Sequence, residues 1–183
     1  MCHPAINYHG KTYKITHNNP KKEKNLYLRI MSEEPFLNAH NKEEYPPHHT
    51  CEHILNGTMV RLFGCPRSRN AHIERKKCKC DYELPSCPTP GQVAEIENTV
   101  NEVIARQLDV TVEYMSRERA AAVADLSKLP EDASETLRIV RIGDYDACAC
   151  IGAHVKNTAE IGTFRILSHD YDNGRWRVRW KTV

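Results

Sequence analysis

The chain has 183 residues, enough for one good-sized domain plus an appendage, with a core that needs no disulfide staples. Lys and Arg number 26 against 24 Asp and Glu, a formal charge of +2, so overall charge does not mark a nucleic-acid binder and its distribution carries the information. No run approaches about 18 apolar residues and the first residues lack the apolar stretch of a signal peptide, so no membrane partner is expected; the sequence predicts a cytoplasmic protein whose 8 cysteines are thiols or metal ligands.

Residues 1–44 read as an N-terminal extension packed on a main domain of residues 45–183. Tyr8-His9-Gly10-Lys11 suits a turn between two short strands, and Asn25 to Ile30 alternates like a third. Lys21-Lys22-Glu23-Lys24 between them reads as a solvated loop. Pro46-Pro47 stops any earlier element. From about Thr50, Ile54, Leu55, Met59, Leu62 and Phe63 recur at helical spacing until Gly64, a good helix stop.

His49 and His53 stand four apart at the start of that helix, so both rings share one face; His48 falls off it and is not chosen as a ligand. Arg67 to Lys79 is the densest basic stretch, and in a protein that handles a polyanion Arg67, Arg69, Arg75, Lys76 and Lys77 would grip phosphate. Cys78, Cys80, Tyr82 and Leu84 then alternate with charged residues, the mark of a strand with both cysteines on its apolar face. A second zinc site from Cys65, Cys78, Cys80 and Cys87 is the weaker reading, because the strand pattern already explains two of the four as small buried hydrophobes.

Thr89-Pro90-Gly91-Gln92 has capping-box spacing with proline at the first helical position. The helix it opens carries Val93, Ile96, Val100, Val103, Ile104 and Leu108 on one stripe. A short strand with Val110, Val112 and Tyr114 inward follows, then a helix from about Ser116 to Leu126, stopped at Leu129-Pro130. Leu137 to Ile142 is a strand that leads through Gly143-Asp144-Tyr145-Asp146 to Cys150 and His154. Gly152 argues that this pair flanks a tight loop, not a helix. Two last strands, Ile161 to Leu167 and Arg175 to Lys181, meet at the hairpin turn Asp172-Asn173-Gly174; Arg175, Arg177, Arg179 and Lys181 share a solvated face.

The two pairs, His49/His53 and Cys150/His154, supply the four positions of a tetrahedral zinc site, since imidazole and thiolate are the ligands Zn²⁺ prefers. The fold class expected is α+β, an antiparallel sheet packed against two long helices with the zinc cleft at one edge.

With these motifs in place, residues from about 45 to 183 resemble the editing domain shared by alanyl- and threonyl-tRNA synthetases, especially the free-standing AlaX-type proteins. His49-Thr50-Cys51-Glu52-His53-Ile54-Leu55, the helix after Pro90, and Arg141-Ile142-Gly143-Asp144 leading into Cys150 to Gly162 carry the resemblance. It implies zinc bound by His49, His53, Cys150 and His154, a tRNA partner, no ATP binding, and hydrolysis of the ester between an amino acid and the 3′ adenosine of mischarged tRNA. Ser-tRNA(Ala) is the leading substrate, with Gly-tRNA(Ala) beside it and Ser-tRNA(Thr) second, because a site built for alanine excludes small errors poorly. Ile151 and Ala153 stand where the family's loop often reads Cys-Gly-Gly-Thr-His, and Ala159 where glycine is common; both bear on amino-acid specificity. The glycine-rich N-terminal module of larger members is not matched by residues 1–44.

Two readings from other classes compete. His49-x-x-Glu52-His53 is also the His-x-x-Glu-His pattern of zinc peptidases, in which Glu52 would be general base and a distant glutamate the third ligand. A non-catalytic RNA-binding module with structural zinc is the other. Removing the metal separates it from an editing domain, which keeps its folded core.

Overall fold

A computed structural model describes residues 5–8, 11–14, 45–76, 78–126, 129 and 133–183. The chain divides into two compact units, Met1–Phe36 and Leu37–Val183. In the first, β1 (Ala5–Tyr8) pairs antiparallel with β2 (Lys11–Lys14), Tyr8 opposite Lys11; the turn expected at His9-Gly10 lies outside the described residues. The strand expected over Asn25 to Ile30 and the loop Lys21 to Lys24 lie outside the described residues.

The second unit is built on α1 (Pro46–Phe63). It begins four residues before the expected Thr50, because Pro46 and Pro47 occupy first-turn positions where a missing N–H costs nothing. It ends at Gly64, whose φ of 63° places it in the left-handed region and whose N–H donates to the Val60 carbonyl. His48 through Met59 are all buried. The polar members of that run find partners: Thr58 Oγ1 donates to the Ile54 carbonyl, and Asn56 Oδ1 accepts from Ser68 N–H and the Tyr82 hydroxyl. Leu62, expected on the buried stripe, is 37% exposed because the last turn runs out beyond its cover.

Against α1 lies a four-stranded antiparallel sheet in the order β3-β4-β9-β8, made of β3 (Asn70–Ile73), β4 (Cys78–Glu83), β8 (Phe164–Asp172) and β9 (Arg175–Thr182). Cys78, Cys80, Tyr82 and Leu84 are buried as their alternation predicts. The β8–β9 turn has φ of 49° at Asn173 and 83° at Gly174, the left-handed pair a two-residue hairpin needs. Along the cationic face of β9, Arg177 pairs with Asp81 and Arg179 with Asp170.

The second long helix, α2 (Pro90–Ala105), opens with the Thr89/Gln92 capping box. Its stripe enters the same core, and Asn101 clips it to β8 by bonding both the N–H and the carbonyl of Phe164. A separate three-stranded antiparallel sheet, β5-β6-β7, comprises β5 (Val110–Ser116), β6 (Thr136–Ile142) and β7 (Asp146–Ala149). The architecture is thus α+β with antiparallel sheets and two long helices, the sheet being split in two.

Two local expectations change. Val110 and Tyr114 are partly buried as expected, but Val112 is 41% exposed, and Met115, opposite Leu137 on β6, is the buried residue of the edge strand β5. The helix after Ser116 is short, α3 (Arg117–Ala121): the Ser116 hydroxyl caps its start, and the N–H groups of Ala122, Val123 and Ala124 already turn back onto Arg119 and Ala120. Among the described residues no helix is long and apolar enough to cross a membrane.

Candidate metal centre

The first two turns of α1 present His49 and His53, and the loop after β7 presents Cys150 and His154. One ligand atom from each of the four lies within 4.8 Å of all the others. The three imidazoles crowd together: His49 and His154 stack with centroids 4.1 Å apart, and His53 meets His154 edge-on at 4.6 Å. Cys150 Sγ is 3.4 Å from Nε2 of both His49 and His154. A tetrahedron with ordinary Zn–S and Zn–N bonds has edges of roughly 3.5 Å, so this donor set fits zinc in both chemistry and spacing.

Neighbouring groups decide which ring nitrogens are bare. His49 Nδ1 is 3.1 Å from the Ala153 carbonyl, which only accepts, so Nδ1 carries the proton and Nε2 presents a lone pair. Thr50 Oγ1 donates to the Pro46 carbonyl and therefore accepts from His154 Nδ1–H at 3.0 Å and from Val155 N–H at 3.2 Å. His154 Nε2 is thereby bare as well. Arg138 on β6 holds the loop by donating to the carbonyls of Cys150 (2.7 Å) and Gly152 (2.9 Å). The Cys150/His154 pair thus flanks a pinned loop, in keeping with the glycine between them.

His53 is held differently. Its buried Nδ1 faces Asp146 Oδ2 at 3.6 Å, and Arg67 grips that carboxylate through both terminal nitrogens at 2.6 and 3.1 Å. Burial disfavours the charged form of His53, yet Asp146 and Cys150 outweigh it and raise the imidazole's pKa. Burial likewise opposes a Cys150 thiolate, but the surrounding imidazoles of His154, His49 and His53 prevail and bring its pKa to about 2. His154 falls to about 4, chiefly through burial. The centre therefore offers a thiolate and a neutral His154 at physiological pH, the forms a metal binds.

The other expected residues fall in several places. Glu52 is buried and lines a cavity of about 200 Å³ with His53, Asn56, Arg67 and Cys148. Arg67, expected among the phosphate-gripping residues, is bound to Asp146 with its side chain 11% exposed. Arg69, Arg75 and Lys76 are exposed, Arg75 lying over the Tyr45 ring at 4.8 Å, and Lys77 lies outside the described residues. Of the cysteines considered for a second site, Cys78 and Cys80 are buried thiols, Cys78 pushed by burial to about 11, while Cys87 is exposed. The peptidase pattern would need a carboxylate ligand, but His49 and His53 converge on Cys150 and His154.

Asp146 and Arg138 were missed in the sequence. Asp146, Cys148 and Cys150 stand two apart along β7 and its end, so strand periodicity was the available signal. A larger cleft of about 780 Å³ adjoins the small cavity, sharing Arg67 and Asp125, and draws in Arg61, Arg69, Arg141 and Tyr145. Arg61 lies over the Tyr145 ring at 4.0 Å.

An α+β domain with a His₃Cys cleft between a buried helix and a three-stranded sheet is the class this geometry defines. Residues 137–178 match the family described as the threonyl and alanyl tRNA synthetase second additional domain. Similar proteins include the alanine–tRNA ligase of Fervidobacterium nodosum, 32% identical over 121 residues, 66% of this chain and 14% of that protein. The chloroplastic/mitochondrial alanine–tRNA ligase of Micromonas pusilla is 32% identical over 133 residues, 72% of this chain and 15% of its own length. That of Treponema denticola is 29% identical over 141 residues, 75% of this chain and 24% of the relative. The chain contains the editing domain shared by alanyl- and threonyl-tRNA synthetases, and it spans a small part of the length of the relatives it matches.

Proposed function

We propose that this protein is a free-standing, cytoplasmic trans-editing hydrolase of the AlaX type that deacylates mischarged tRNA, with residues 45–183 as the editing domain and residues 1–44 as its extension. The observation that carries the reading is the convergence of His49, His53, Cys150 and His154, drawn from the two motifs that resemble the family's zinc ligands. Zinc held by these four would polarise or orient the ester carbonyl of the aminoacyl end. The chain's own residues do the rest. Arg138 fixes the loop that presents Cys150 and His154, Thr50 and the Ala153 carbonyl set the tautomers, and Asp146 with Arg67 orients His53. Exposed Arg69, Arg75 and Lys76, with Lys77 beside them in sequence, would meet tRNA phosphates, while Arg67 serves Asp146.

Ser-tRNA(Ala) is the proposed substrate, since a serine error differs from alanine by one hydroxyl and escapes an alanine-sized synthetic site. The test is release of serine from Ser-tRNA(Ala), with Ala-tRNA(Ala) as control, by zinc-loaded wild type and His53→Ala. Selective serine release that fails in the variant is the expected result. No release from folded, zinc-loaded protein would overturn the assignment and turn the search to Ser-tRNA(Thr).

A further inference from the structure

Among the described residues Glu52 forms no ion pair. The residue is 8% exposed, and a charge so far out of water requires compensation. Asn56 Nδ2 donates to Oε1, while Oε2 has no hydrogen-bond partner and the carboxylate forms no ion pair among the described residues. Arg67 is close enough to feel its charge, yet both terminal nitrogens of that guanidinium are engaged by Asp146. Cys148, across the cavity, is a thiol pushed up to about 12 by burial and supplies no positive charge. Glu52 lines a partly open cavity of about 200 Å³ together with His53. Such a space has room for several water-sized groups, and so for a small amino-acid moiety.

We infer that Glu52 is a substrate-binding residue that receives the α-ammonium group of the aminoacyl ester, with the amino acid seated in the cavity lined by Glu52, Asn56 and Cys148. The inference rests on the deacylase reading and adds to it what the site recognises. A free α-amino group is common to every aminoacyl-tRNA and is lost when that nitrogen is acylated. The ammonium would give the buried carboxylate the opposite charge that no described residue pairs with it, through a charge-assisted hydrogen bond. It also explains why Glu52 lines a cavity when the solvated face of a helix is where an unpaired glutamate is normally found.

The experiment compares Ser-tRNA(Ala) with N-acetyl-Ser-tRNA(Ala) under single-turnover conditions, using the full zinc-loaded chain and its isosteric variant Glu52→Gln. Binding of 3′-L-serylamino-3′-deoxyadenosine and of its N-acetyl form is measured in parallel by calorimetry. Wild type should prefer the free amine by roughly tenfold to a hundredfold in both assays, and Glu52→Gln should remove the preference by losing the free amine alone. Equal handling of free and acetylated forms by wild type overturns the inference whether or not the variant folds. So does a variant that keeps the preference, and a general-base role for Glu52 would instead slow both substrates alike. Tight, amine-dependent binding of the amide without hydrolysis of the ester would leave Glu52 assigned and overturn the deacylase reading.

Discussion

Asp146 faces His53 across the gap between β7 and α1, its Oδ2 3.6 Å from the buried Nδ1. Carboxylates in this position fix the tautomer and heading of a metal-binding imidazole and raise its basicity. Asp146→Asn should therefore weaken zinc binding by roughly tenfold to a hundredfold while leaving the fold intact. Competition with a chelator of known affinity measures it; an unchanged affinity would reduce Asp146 to a partner of Arg67 alone.

Thr50 performs the corresponding task for His154, and its oxygen also accepts the N–H of Val155. Thr50→Val keeps the shape and removes both interactions. The change should cost about 1–3 kcal/mol in urea unfolding, because a buried N–H is left unmade, and should lower zinc affinity in the same titration.

Gly162 has a φ of +84°, and a Cβ there would sit 2.7 Å from the Val183 carbonyl oxygen. Thr163 and Val183 exchange both backbone hydrogen bonds at that point, so the neighbour has little freedom to give way. Gly162→Ala should destabilise the second unit by about 1–3 kcal/mol, read as a lowered Tm.

Asp81 gives a pH dependence of defined sign. Two hydrogen bonds from Arg177 on the adjacent strand lower its pKa against the opposing effect of burial. A carboxyl whose folded pKa lies below its unfolded value adds stability that is present above the unfolded value, about 3.9, and is lost as pH falls through the folded one. Wild type should thus lose Tm more steeply than Asp81→Asn between about pH 5 and pH 2. Parallel curves for the two proteins would show that the pair contributes nothing.

Chelation separates a catalytic centre from a structural one. The core formed by α1, α2 and the four-stranded sheet is closed by residues such as Leu55, Ile96, Trp176 and Trp180, none of them a candidate ligand. Stripping zinc should abolish deacylation and lower Tm while circular dichroism keeps its helical signal. Collapse of that signal would support the RNA-binding module with structural zinc.

Much of the framework was legible because its signals are local. The Thr89/Gln92 box opens α2, Gly64 stops α1 and Asn173-Gly174 turns the last hairpin, each within a few residues. On β5 Val110 packs as its alternation predicts, whereas Val112 is exposed and Met115 buried, because an edge strand does not declare along its whole length which face its neighbours will cover. The basic run misled for a related reason: composition cannot tell that Arg67 turns inward to a carboxylate 79 positions along the chain while Arg69 stays in solvent.

The four candidate ligands could be named from spacing, since helix periodicity dictates that His49 and His53 share a face. Their tautomers, the Arg138 clamp on the loop and the Asp146–Arg67 support of His53 came from packing alone. His49 and Ala153 are 104 positions apart in sequence and 3.1 Å apart in the fold. Short-range sterics write caps, turns and periodicity into neighbouring residues, whereas a hydrogen bond across that separation exists only once burial has brought α1 and the Cys150 loop together and left their polar groups no water to turn to.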